Sequence, residues 1–339
     1  VSRPIVKHSF TVDKQENIAN IVAEAFHIAT SGRQGPVLID VPKDLTNPDD
    51  LFDFVYPDKV HVRSYNPPIK PENHQVSRAV DAILASERPV IYAGGGTISS
   101  NASKELRELN DLIDAPVTNT LMGLGVFPGT HKRFLGMLGM HGTYQANMAM
   151  HNADLIIALG ARFDDRITNA PDKFAPRAKI IHFDVDHSSV SKIIEADIAV
   201  FGQIKDSLQA INNHLKTKID EIDNEKLAPW HQQISDWKEK HGLNHDLYKI
   251  EDDSGPILPQ AAVQHIYQES QGKAFVTSDV GQHQMFAAQY YHFDEPRKWI
   301  NSGGLGTMGF GLPSAMGVKL AYPDAVSYTH LRAHETSSY

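Results

Sequence analysis

Two arginines bracket two aspartates in Arg162-Phe163-Asp164-Asp165-Arg166, directly after Leu159-Gly160-Ala161. The apolar run before them, residues 153–158, reads as a buried parallel strand. In open α/β sheets ligands bind outside the carboxyl ends of the strands, so a strand ending in Gly-x-Arg aims a guanidinium at that crevice. A guanidinium can hold two phosphate oxygens at once, which makes pyrophosphate the chemistry to expect. Taken alone, the stretch reads equally well as a solvated charged turn.

Other expected strand ends carry softer signals of the same kind. Gly94-Gly95-Gly96 stands between a strand and a helix. Glycine there admits a close ligand, and a helix N-terminus favours an anion. The run lacks G-x-G-x-x-G spacing and the downstream acid of an NAD site, and a plain tight turn explains it as well. Thr120-Leu121-Met122-Gly123-Leu124-Gly125 suits a flat ring pressed onto backbone, or is an ordinary hydrophobic loop. His141, inside Gly139-Met140-His141-Gly142-Thr143, could bond a ligand or cap a turn. Asp184 holds the strand-end position where an acid takes ribose hydroxyls.

Further on, Asp279-Val280-Gly281-Gln282-His283 and Ser302-Gly303-Gly304-Leu305-Gly306-Thr307-Met308-Gly309 follow two more strands. A close helix–strand crossing explains some of the five glycines in 303–311; a phosphate-receiving loop explains them all. His241 and His245 are spaced i, i+4, with Gly242 and Asn244 between them and no acid at ligand spacing. They are expected as exposed polar residues rather than metal ligands, as are His330 and His334.

The elements that must position these groups alternate. A helix over 16–31, with Ile18, Ile21, Val22, Ala25 and Phe26 on its apolar stripe, leads to a buried strand at 36–42. Residues 46–74 are rich in Pro, Asp and Asn and read as a linker. From residue 75 strands are expected at 89–93, 116–118, 153–158, 179–186 and 197–201, with helices between them and a last helix over 204–215. That alternation predicts a doubly wound parallel sheet, hence an α/β fold. Residues 217–257 form a charged connector containing an amphipathic helix, with Trp230 and Trp237 as packing anchors. A third α/β pattern runs from 258 to 325, with strands at 274–278 and 299–301 and helices over 260–268, 284–291 and 308–321. Residues 326–339 show neither period and read as a non-native tail.

With 339 residues, 41% of them hydrophobic, the chain can bury two or three cores. A net charge of −9 argues against nucleic acid as a partner. The absence of cysteine excludes disulfides, thiolate metal sites and a thiol nucleophile. No apolar run nears the ~20 residues that span a bilayer, and no targeting peptide is visible, although the chain opens on Val1 rather than Met.

Four blocks occur here in an order that resembles the catalytic large subunits of acetolactate synthase (acetohydroxyacid synthase). They are residues 32–44 (Gly-Arg-Gln-Gly-Pro-Val-Leu-Ile-Asp-Val-Pro-Lys-Asp), 137–142 (Met-Leu-Gly-Met-His-Gly), 160–166 (Gly-Ala-Arg-Phe-Asp-Asp-Arg) and 304–309 (Gly-Leu-Gly-Thr-Met-Gly). The second and third are the specific ones; the last is shared across thiamine-diphosphate enzymes. The resemblance covers residues 1 to about 325. It implies doubly wound parallel-sheet domains of the thiamine-diphosphate enzyme type. Residues 1–45 would end the domain that holds the aminopyrimidine, 75–216 would be a Rossmann-like FAD domain, and 258–325 would begin the domain binding thiamine diphosphate through Mg²⁺.

The resemblance also implies roles. Arg33, Gly94, Gly95, Thr120, Leu121, Met122, His141, Gly160, Arg162, Asp164, Arg166, Asp184, Val185, Gly303 and Gly304 match FAD-wrapping positions, and FAD does no net redox work in the family. Val280, Gly281, Gln282, His283, Gly306 and Met308 match contacts to thiamine diphosphate, Met308 propping it in its bent form. Lys43 matches a lysine at the mouth of the substrate channel. The implied reaction condenses two pyruvates, or pyruvate and 2-oxobutanoate, with loss of CO₂ on the route to valine, leucine and isoleucine. The implied assembly is a homodimer or larger, with a possible small regulatory subunit. It would lie in the cytoplasm of a bacterium or an organelle of a eukaryote.

The chain departs from the pattern in three places. The activating glutamate is expected before residue 1, and the Mg²⁺ ligands shortly after Pro323-Asp324 are replaced by an unrelated run. Gln203 stands where an acid contacting FAD is usual. The expectation is therefore an internal fragment without carboligase activity of its own. Two rivals remain: a glyoxylate carboligase or pyruvate oxidase type of thiamine enzyme, and a non-catalytic nucleotide-binding module.

Overall fold

The computed structural model describes residues 2–47, 49, 51–249 and 256–330. Three parallel sheets carry the chain. The first pairs β1 (His8–Thr11) with β2 (Val37–Asp40), joined through α1 (Ile18–Thr30). β2 was expected to be buried, but its residues alternate between half-buried and exposed, because a two-stranded sheet leaves one face open. The helix also differs from expectation. Its deep face is Ala19, Ala23, Ala25 and Ile28, whereas Phe26 is 64% exposed. Small alanines let the helix close onto the strands, and the larger side chains are left at the margin.

The second sheet is the centre of the molecule. Its strands are β3 (Pro89–Ala93), β4 (Val117–Asn119), β5 (Phe134–Met137), β6 (Leu155–Leu159), β7 (Lys179–Asp184) and β8 (Ile198–Phe201), in the order β5-β4-β3-β6-β7-β8. That is a Rossmann order, with the reversal between β3 and β6. Alternate residues of β3 face opposite cores. Ile91 and Ala93 meet α2 (Asn73–Ala85), α4 (Ser103–Ile113) and α7 (Ile204–Thr217). Val90 and Tyr92 meet α5 (Tyr144–Asn152) and α8 (Ala228–His241). Each fully buried isoleucine of these strands stabilises the fold by about 1.5–3 kcal/mol.

Two short helices follow strand tips here: α3 (Gly95–Ser99) after β3 and α6 (Asp165–Thr168) after β6. The amphipathic helix expected in the connector is α8, and it packs on the central sheet. Trp230 is 2% exposed, donates its indole N–H to the Pro89 carbonyl at 3.2 Å, and meets Trp237 edge to face.

The third sheet has the order β10-β9-β11, formed by β9 (Phe275–Ser278), β10 (Trp299–Asn301) and β11 (Ser327–His330). Helices α9 (Pro259–Glu269), α10 (Gln282–Tyr290) and α11 (Gly311–Ala321) cover it. β11 corrects an expectation. Residues 326–339 were read as fitting no element, yet 327–330 pair in parallel with all four residues of β9. Ser-Tyr-Thr-His lacks an apolar alternation, so its place in the sheet comes from backbone pairing with β9. Residues 331–339, His334 among them, lie outside the described residues.

The two expected exposed histidines also differ from each other. Gly242 caps α8 right after His241, so His245 lies beyond the helix and shares no face with it. His241 is exposed and packs on Tyr144. His245 is half-buried against Tyr290 and His292. Burial first, then the His292 and Lys238 charges, push the His245 imidazole down to about 4, against the pull of Asp246. Burial lowers His292 too, opposed by Asp294 and aided by Lys238, while Tyr267 packs edge-on to its ring.

Both imidazoles are shifted below an unfolded histidine, so the pair's contribution is present above pH ~6.5 and is lost as pH falls, for His245 towards about 4. The melting temperature is expected to fall by about 5 °C between pH 7 and 4.5, with His245→Gln flattening the slope. Identical slopes in the two proteins would rule the pair out as the source.

Candidate functional site

The tips of β3 and β6, where strand order reverses, lie against each other with almost no space between them. The Gly94 amide donates to the Leu159 carbonyl at 2.9 Å, and the Gly96 amide to the Gly160 carbonyl at 3.1 Å. A Cβ at Gly94 would stand 2.4 Å from the Gly160 carbonyl oxygen, and one at Gly96 2.8 Å from the Gly160 Cα. Gly94 and Gly96 are thus required by the backbone crossing itself. Gly95 instead faces Met122 across the opening.

Beyond this crossing opens a cleft of about 1220 Å³, walled by tips of the central sheet, by residues 32–34 and by the β10–α11 loop. A left-handed residue other than glycine shapes its charged wall. Phe163 has φ +54 and is 1% exposed, held by Tyr92, Phe174 and His182. A bulky residue adopts that backbone only where its surroundings over-determine it. The kink sets Arg162 and Asp164 on the cleft, their side chains paired at 2.9 Å. Asp164 also accepts the Arg166 amide at 3.3 Å and so caps α6. Burial alone would raise the Asp164 carboxyl, but hydrogen bonds and the charges of Arg162 and Arg166 outweigh it and hold it below the usual carboxylate range.

Arg33 crosses from the first sheet to the end of β7, donating to Asp186 at 2.9 Å and to Ser189 at 3.0 Å. Burial opposes ionisation of Asp186, yet the bonds from Arg33, Ser188 and Ser189 prevail and keep it well below its ordinary value. At Asp184 burial wins and the carboxyl is raised. His182, beneath it, is lowered by burial and has one ring nitrogen 2.9 Å from the Ala161 carbonyl.

Of the residues matched to FAD, Arg33, Gly95, Thr120, Leu121, Met122, His141, Gly160, Arg162, Asp164, Arg166, Asp184, Val185, Gly303 and Gly304 line this one cleft; Gly94 lies behind it in the crossing. Gln203 lines it too, at the N-terminus of α7. Among the residues matched to thiamine diphosphate, Val280 and Gly306 line the cleft. Gly281, Gln282 and His283 form the N-terminus of α10 outside its lining, and Met308 stands half exposed on the loop. The close-crossing reading of that loop does not apply to Gly304 and Gly309, where an added Cβ would meet nothing within 4 Å. Lys43 is exposed in a short turn, Lys43–Thr46, away from the cleft.

Sequence reasoning missed Tyr92, Gln284, Arg297 and Asn301, which line the cleft. Arg297 donates to the Asn101 side chain at 2.9 Å and clamps β10 to the α3 end of the central sheet. The buried Gln284 donates to Asn301 at 3.2 Å. Three buried polar atoms of the lining, Tyr92 Oη, Thr120 Oγ1 and Asn301 Nδ2, have no protein partner. Buried polar groups are normally paired, so this wall fits a polar ligand. Cationic side chains, backbone at glycines and a strand-end acid fit a dinucleotide in particular.

Two family models match the chain. Residues 76–211 match the thiamine pyrophosphate enzyme central domain, and residues 279–329 the thiamine pyrophosphate enzyme C-terminal TPP binding domain. Both regions are those of thiamine pyrophosphate enzymes, and the parallel α/β architecture agrees with that match. Within that class it is a homologue of the acetolactate synthase large subunits. It is 52% identical over 324 residues to the acetolactate synthase large subunit of Buchnera aphidicola subsp. Schlechtendalia chinensis, covering 96% of this chain and 56% of the relative. It is 48% identical over 324 residues to the acetolactate synthase isozyme 3 large subunit of Escherichia coli, with the same coverage. Against the large subunit of Corynebacterium glutamicum it is 40% identical over 324 residues, covering 96% of this chain and 50% of the relative. The chain spans about half the length of the relatives it matches. Among the described residues no helix is long and apolar enough to cross a membrane.

Proposed function

We propose that this chain supplies the flavin cleft and part of the coenzyme site of an acetolactate synthase catalytic subunit. The reaction is the decarboxylating condensation of two pyruvates to 2-acetolactate, or of pyruvate and 2-oxobutanoate to 2-aceto-2-hydroxybutanoate, with one CO₂ released per turn. One observation carries the reading: Arg162 and Arg166, at a Rossmann switch point, share a cleft with the glycine loop after β10. A dinucleotide-only module has no use for that loop.

In this reading FAD lies across the tips of β3 and β6. Arg162 and Arg166 hold its diphosphate, Arg162 in place of its present contact with Asp164. Arg33 fastens the first sheet over its far end, and Asp184 takes a ribose hydroxyl. Leu121 and Met122, with Gly303 opposite, give the ring an apolar rest. Thiamine diphosphate, when bound, supplies the nucleophilic carbon and the electron sink for decarboxylation. Val280, Gly281, Gln282, His283 and Gly306 offer it backbone and side-chain donors, and Met308 an apolar support. Among the described residues no group of three His, Asp or Glu side chains stands together as a metal site, and none of them is assigned to the coenzyme's Mg²⁺. The relatives' designation as large subunits supports a small regulatory partner.

The protein as its gene encodes it is expected to form acetolactate and CO₂ in equal amounts from pyruvate with thiamine diphosphate, Mg²⁺ and FAD. Turnover of glyoxylate instead, or oxidation of pyruvate with consumption of O₂, would assign it to one of the rival thiamine enzymes.

A further inference from the structure

Tyr92 ends in a hydroxyl that the fold does not use. The residue lies in the middle of β3, is 0% exposed and faces the core beneath α5 and α8. Its ring meets Phe163 at 5.6 Å and forms part of the cleft floor. A phenylalanine would make those same apolar contacts. The phenolic oxygen has no hydrogen-bond partner, and the Phe163 against its ring stands between Arg162 and Asp164, both on the cleft wall. Burial, and then the Asp164 charge, drive the phenol to the protonated form, so what it presents is a neutral O–H. A buried donor without an acceptor is costly to the free protein. It becomes favourable only when an acceptor arrives.

We infer that the Tyr92 phenol is a ligand-contacting donor of the flavin cleft, giving its hydrogen bond to an oxygen of the nucleotide's ribityl–diphosphate portion. The inference rests on the flavin reading above, and Phe163 supplies its location: its ring meets Tyr92, and Arg162, the guanidinium assigned to the diphosphate, is the preceding residue on the same wall. An acceptor oxygen held by Arg162 then lies in the cleft that Tyr92 also lines. Asp164 excludes a second carboxylate there and favours an oxygen whose charge is already met by arginine.

The test is titration of the 339-residue chain with FAD, read by flavin fluorescence, for the parent and for Tyr92→Phe, with melting curves of both apoproteins. The variant is expected to bind FAD about tenfold more weakly, while its apo melting temperature stays level or rises because an unpaired hydroxyl has gone. Effects of opposite sign on binding and stability are what a purely packing role does not produce. Equal affinities would overturn the inference alone, as would a loss of affinity matched by a fall in apo melting temperature. No FAD uptake by the parent would overturn the flavin reading and this inference with it.

Discussion

Replacing Arg162 and Arg166 together by alanine is expected to weaken FAD binding by at least about 100-fold, since each charge-assisted bond to phosphate contributes about 1.5–3 kcal/mol. The apoprotein should barely notice. Arg162 is 58% exposed and its partner Asp164 is two residues away, so the ion pair adds little to stability. Arg162→Lys is expected to fall between, because an ammonium keeps the charge and loses the two-pronged geometry. Equilibrium titration of the three variants beside the parent checks this. If the double variant bound FAD within about threefold of the parent, the arginines would not be the diphosphate clamp.

Gly160→Ala is expected to strike the fold itself. Gly160 has φ +55, and a Cβ there would lie 2.6 Å from the Gly96 Cα. The left-handed backbone costs a side chain about 1–2 kcal/mol, and overpacking of two backbones adds about 1–3 kcal/mol. A loss of about 3 kcal/mol is a large part of the 5–15 kcal/mol typical of a domain. The tips of β3 and β6 would also have to separate, so FAD affinity should fall with stability. Gly304→Ala is the control: nothing lies within 4 Å of its Cβ position, and the expected change is under about 0.5 kcal/mol. Denaturant unfolding of both variants decides it. Equal stabilities would mean that the crossing is not as tight as described.

Much of this arrangement could be read from residues alone. Four strands of the central sheet, β3, β6, β7 and β8, are largely apolar runs closed by glycine or acid, and the tips of β6 and β7 carry the arginines and aspartates now found on one cleft. What escaped reading did so for physical reasons. β5 contains Gly136 in a left-handed conformation, and its pairing with β4 shifts register, so no alternation survives. β1 and β11 are short polar segments whose strand character comes from a neighbour's backbone rather than their own side chains. Arg33 reaches Asp186 across 153 residues, a contact that no local pattern encodes. Tyr92 looked like strand interior, which it is; only its unpartnered hydroxyl and its place under Phe163 mark it as more. The i, i+4 spacing of His241 and His245 misled because Gly242 ends the helix between them.

The central claim is that a flavin dinucleotide lies across the switch point of the six-stranded sheet. A crystal structure of this chain grown with FAD tests it most directly. The account predicts the diphosphate within hydrogen-bonding distance of Arg162 or Arg166, with the ring against Leu121 and Met122. Flavin bound elsewhere on the chain, or both guanidiniums turned away from it while Asp164 keeps its present partners, would contradict the account.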